Sequence, residues 1–164
     1  DSYTGIYGED DSAALCLAKY YIKASEAEKS EALLDKLQNE KSKEYYLTKV
    51  DWYNKFGNDR YYVISTLLDA VAEHPTWAKA HLMLGLSYYE REDDTSAIYY
   101  LKKAHLLDPS DGYSLCYLGV ISYDRGSYKA AEEYLGEAEK LAKNDSYLKN
   151  IIDTYKECVA RAVA

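Results

Sequence analysis

The sequence is poor in the residues that interrupt a chain. Of 164 residues only 2 are proline and 8 are glycine. Such a composition excludes a turn-rich or low-complexity architecture and favours long uninterrupted elements. Cysteine is scarce too: Cys16, Cys116 and Cys158 form an odd set with no C-x-x-C pair. That excludes a disulfide framework and a zinc site and leaves the three as small buried hydrophobes. Free thiols favour a reducing, cytoplasmic setting, with a bacterial periplasmic or secreted one as the alternative. Positive charge is in deficit, with 20 Lys and Arg against 28 Asp and Glu, a net charge of −8 and no basic run. Nucleic acid is therefore excluded as a partner, because neutralising phosphates needs clustered cations. No apolar run approaches the roughly 18 residues that insertion into a membrane requires. The three histidines, His74, His81 and His105, share no metal-ligand spacing. No phosphate-loop, zinc-protease, nucleophile-elbow or dinucleotide motif occurs. Neither cofactor, metal nor catalytic residue is expected. Phenylalanine is nearly missing as well: a single Phe stands against 20 Tyr. Tyrosine buries almost as much apolar area but keeps a polar tip, so many half-buried positions are expected.

What is present repeats. Pro75 and Pro109 stand 34 residues apart, as do Gly85 and Gly119, Ala97 and Ala131, Leu101 and Leu135, and Ala104 and Ala138. The segment LMLGLSYYERED aligns with CYLGVISYDRGS at the same spacing. A fixed period of this length marks stacked supersecondary units, none of which can bury its apolar face alone. A glycine inside a leucine-rich helical pattern costs about 1 kcal/mol relative to alanine. Gly85 and Gly119 are therefore read as places where two helix axes approach closely, with Ala97 and Ala131 as the matching small faces. The acidic run EREDD reads as a helix end and turn, with Asp94 or Thr95 capping the helix that follows.

On these residues the chain resembles the tetratricopeptide repeat family. That family places a large residue and Leu-Gly-x-x-Tyr on a first helix, then Ala-x-x-x-Phe, Ala and a closing Pro on a second. Residues 78–111 carry His81, Leu84, Gly85, Tyr88, Ala97, Leu101, Ala104 and Pro109 in those places. Residues 112–145 carry Leu115, Leu118, Gly119, Ser122, Ala131, Leu135 and Ala138, with Gly126 in the turn and Lys143 where Pro is expected. Residues 44–77 form a degenerate unit; shifting its first helix by one residue puts Val50 and Tyr53 on the glycine and tyrosine positions. Residues 10–43 read as a divergent hairpin, with Ser25 and Glu28 spaced as a capping box. Residues 146–164 carry Leu148, Ile151, Ile152, Tyr155 and Val159 as a helical stripe, a capping helix of the kind a solenoid end needs. Residues 1–9 read as a lead-in. The resemblance implies an all-α, right-handed α-solenoid of antiparallel helix hairpins, about four pairs plus the capping helix.

The resemblance also implies a function, namely a non-catalytic scaffold or adaptor that binds a peptide or helix of a protein partner in a concave groove. Neighbouring residues on a helix point about 100° apart, so Tyr88 and Tyr89 separate. Tyr88 takes the family's core position and Tyr89 faces the groove. The same spacing assigns Lys79, Leu82 and Leu86 to that groove from one unit, and Tyr113, Cys116, Val120 and Tyr123 from the next. Tyr21 and Trp52 are the contributions expected from the N-terminal units. The Lys, Asn and Arg set with which some family members grip a carboxylate is missing from the two best-matched units. A homo-oligomerising assembly module and a secretion-type chaperone holding a client segment are the alternative readings.

Overall fold

Aspartate and serine side chains mark where most of the helices begin. The structure, a computed structural model, describes residues 11–37 and 41–164, and every regular element among them is an α-helix. The expected lead-in at 1–9 lies outside the described residues. The chain divides into two compact units, one running to Pro75 and one from Thr76 to Ala164. The first holds α1 (Asp11–Lys23), α2 (Ala27–Lys36), α3 (Lys43–Phe56) and α4 (Arg60–Glu73). The second holds α5 (Ala78–Glu90), α6 (Asp94–Leu107), α7 (Gly112–Asp124), α8 (Tyr128–Ala142) and α9 (Ser146–Val163). Consecutive helices pair as hairpins: α1 with α2, α3 with α4, α5 with α6, and α7 with α8.

Capping sets the helix starts. The side chain of Asp111 accepts from the backbone N–H groups of Tyr113 and Ser114, and that of Asp145 accepts from Leu148. Ser42 and Asp59 do the same for α3 and α4. Each such cap is worth about 0.5–2 kcal/mol. Two expected caps are corrected. Asp93, rather than Asp94 or Thr95, caps α6 by accepting from the Ser96 N–H. The Ser25–Glu28 capping box does not form, because α2 begins after Glu26 and Ser25 sits at φ 63°. Ser25 instead ends α1. Its N–H donates to Ile22 and the Glu26 N–H reaches back to Tyr21, the paired bonds of a left-handed helix stop. Glu92 and Gly126 end α5 and α7 in the same way, at φ 60° and 72°.

The repeated glycines have the role their spacing suggests. A Cβ on Gly85 would lie 2.6 Å from Leu101 Cγ, and one on Gly119 would lie 2.7 Å from Leu135 Cγ. The two contacts are the same contact, one period apart. Leu101, Leu135, Ala97 and Ala131 are wholly buried. In the first unit Tyr53 stacks on Tyr62 of α4, at 5.3 Å and 13°. Tyr88 stacks on Tyr100 of α6 in the second, at 5.5 Å and 2°. The helix α9 packs on α7 and α8 and buries Leu148, Ile152 and Val159. Its opposite face carries Lys149, Asn150, Asp153, Glu157 and Arg161, all exposed. The expectation of three buried cysteines is corrected: Cys116 is buried, Cys158 half-buried and Cys16 exposed on α1.

Candidate functional site

Within the second unit the first helices of successive hairpins, α5 and α7, lie side by side, and α9 lies along α7. A cavity lies between the N-terminal end of α5, the C-terminal end of α6 and the residues that lead into α7. It has a volume of about 260 Å³ and is lined by Ala78, Lys79, Leu82, Ala104, Asp108 and Asp111. The two carboxylates are already engaged. Asp108 accepts from the Ser110 hydroxyl at 2.6 Å, which holds its carboxyl below the usual range, and Asp111 caps α7. Lys79 is exposed, and no ion pair engages it among the described residues. The cavity thus offers an apolar floor beside one available cation. No group of three or more His, Cys, Asp or Glu able to hold a metal occurs among the described residues.

Of the residues assigned to the groove, Lys79 and Leu82 line this cavity. Leu86 and Tyr89 continue along α5, half-buried, and Tyr113 is half-buried on α7. Cys116 and Val120 are placed differently. They are 0% and 2% exposed, Cys116 within the core cluster to which α9 contributes Leu148 and Ile152. Neither has surface to offer, and burial pushes the Cys116 thiol up to about 12. Tyr21 and Trp52 belong to the first unit. The ammonium of Lys29 lies 5.4 Å over the Tyr21 ring. The Trp52 indole N–H donates to the Ala27 carbonyl at 3.4 Å.

The tyrosines make internal contacts that spacing alone does not reveal. The Tyr89 hydroxyl donates to Asp124 at 2.9 Å and its ring meets Tyr117 edge-on at 6.0 Å. Burial first, then the Asp124 hydrogen bond, hold the Tyr89 phenol well above its ordinary range. Tyr123 turns toward Tyr155 of α9, at 5.7 Å, and Tyr128 of α8, at 5.8 Å. Tyr113 donates to Asp145 at 2.7 Å, and that bond, with lesser burial, pushes its phenol up to about 12. Sequence reasoning misses Tyr117, Asp124 and Tyr155. For Asp124 the signal is a separation from Tyr89 one residue longer than the period, which joins the end of one first helix to the end of the next; Tyr117 and Tyr155 are met through packing alone.

No family model and no curated protein matches the chain. Solved structures do. A MamA protein superposes with a TM-score of 0.76 at 18% identity, over 96% of this chain and 88% of that one. MamA 41-end from Desulfovibrio magneticus RS-1 gives 0.69 at 21% identity, over 84% and 78%. TTC0263, a thermophilic TPR protein in Thermus thermophilus, gives 0.69 at 21% identity, over 90% and 81%. Together with the repeated Gly85–Leu101 and Gly119–Leu135 contacts, these likenesses identify the chain's fold as an all-α solenoid of tetratricopeptide-type helix hairpins.

Proposed function

We propose that the chain is a non-catalytic protein-interaction scaffold that holds a peptide or helix of a partner protein against α5 and α7. The observation that carries this reading is the cavity bounded by Lys79 and Leu82, on the helix that also carries the half-buried Leu86 and Tyr89. Solenoids of this type use the face formed by successive first helices for binding. Apolar and aromatic side chains dominate interface energies, with a few polar groups fixing orientation. Tyr113 and Tyr117 are half-buried on α7 of the same unit.

The test is capture of a partner from native lysate, identified by mass spectrometry, with Lys79→Ala plus Leu82→Ala as the comparison. Truncating two contacting side chains of this kind removes on the order of 2 kcal/mol, or roughly thirtyfold in affinity. The variant should lose capture while its helical circular dichroism is unchanged. Undiminished capture would refute the reading. Light scattering during size exclusion separates the self-assembly alternative, in which the captured species is a second copy.

A further inference from the structure

A second recessed site, on the first unit, has a chemistry of its own. Helix α2 supplies Glu31, Leu34 and Asp35, and α3 supplies Tyr45, Lys49, Trp52 and Tyr53, around a cavity of about 130 Å³. Three of these seven side chains are aromatic and two are carboxylates. The rings are fixed from behind. Trp52 is tied to α2 by its hydrogen bond to Ala27 and rests against Phe56 at 5.7 Å. Tyr53 meets Trp52 edge-on at 5.2 Å and stacks on Tyr62. Tyr45 is 3% exposed. Glu31 and Asp35, four residues apart on α2, are exposed, and among the described residues neither is in an ion pair. Burial, then the charge of Asp35, holds the Tyr45 phenol above its ordinary range, so that carboxylate is felt inside the cage.

The site already handles a cation. The ammonium of Lys49 lies 5.7 Å over the Tyr45 ring, within the distance at which a ring's negative face attracts positive charge. Two carboxylates against one ammonium leave the cage one negative charge in excess. Its volume suits the head of a single side chain and little more. We propose that this cage on α2 and α3 receives a cationic side chain, a lysine ammonium or an arginine guanidinium, of a protein partner, with Lys49 as the resident stand-in. The net charge of −8 favours the approach of such a partner. This inference does not rest on the α5–α7 face, and the two can fail separately.

The experiment uses the emission of Trp52 in the full chain with Trp77→Phe, which leaves one indole. The probes are N-acetylarginine methylamide, N-acetyllysine methylamide and, as neutral isostere, N-acetylcitrulline methylamide, at constant ionic strength. A saturable change with either cationic probe, absent with citrulline, is expected, and the stronger of the two identifies the preferred head group. Glu31→Gln with Asp35→Asn, both exposed positions that leave packing intact, should weaken the response about tenfold. Lys49→Ala should strengthen it by vacating the cage. A response to citrulline equal to that of the cations, no saturable response to either cation, or a charge-neutral variant that binds as well as the parent would overturn the proposal. An unchanged or weaker response in Lys49→Ala would overturn the assignment of Lys49 as stand-in.

Discussion

Substituting alanine at Gly136 should stabilise the chain, whereas the same substitution at Gly85 should not. Both glycines lie inside helices, α5 and α8, so each replacement gains about 1 kcal/mol of helix propensity. The surroundings then decide. At Gly136 a new Cβ would meet nothing within 4 Å, and the propensity gain stands alone. At Gly85 it would lie 2.6 Å from Leu101 Cγ, 2.8 Å from Cδ2 and 3.2 Å from the Leu101 backbone nitrogen. Leu101 is 0% exposed and cannot swing into solvent. Overpacking of this kind costs about 1–3 kcal/mol, so the net effect is roughly neutral to 2 kcal/mol destabilising. Gly136→Ala should stabilise by about 1 kcal/mol. Urea unfolding followed by circular dichroism reads both, since the two sites share the second unit. Leu101→Ala in the Gly85→Ala background should then cost less than Leu101→Ala alone, because removing Cγ relieves the clash. If Gly85→Ala stabilises as much as Gly136→Ala, the close-approach account of the repeated glycine is wrong.

Three further outcomes follow from particular residues. Glu92 holds a left-handed conformation at φ 60°, where Gly126 stands one period later; Glu92→Gly should raise stability to urea by up to about 1 kcal/mol, and a loss would refute the strain. Cys116 is buried with its thiol pushed up to about 12, whereas Cys16 is exposed; a thiol reagent at pH 8 should label Cys16 in the native chain and Cys116 only after denaturant is added. The Tyr113 phenol is raised to about 12 by its bond to Asp145, so its stabilisation is complete below the unfolded value of about 10 and is lost as pH rises from there toward 12. Tyr113→Phe should therefore flatten the alkaline fall in stability over that window, and an identical fall in the variant would contradict the assignment.

The hairpins are legible in the sequence because their signals are local or periodic. Glycine and leucine recurring together specify one helix contact twice. The ring directions are not legible, because they depend on neighbours the period does not name. Spacing puts Tyr123 in one column with Tyr89, yet α9 packs on α7 and draws Tyr123 to Tyr155. It puts Cys116 and Val120 at a surface, yet both are buried, Cys116 in the core cluster that α9 joins. The misplaced cap at Asp93 has a smaller cause: a run of adjacent acids offers several candidate caps, and the hydrogen bond to Ser96 selects among them only in three dimensions. The cage on α2 and α3 has no sequence signature, because its carboxylates and rings come from two helices in a unit with weak motif.

The most direct test of the scaffold account is site-specific photo-crosslinking of the captured partner. A photoreactive side chain placed at Lys79, exposed at the mouth of the α5–α7 cavity, is compared with one at Leu106, which is 76% exposed on α6. The account predicts a crosslinked partner from position 79 and none from position 106. Crosslinking from 106 alone would place the partner on the second helices and contradict it.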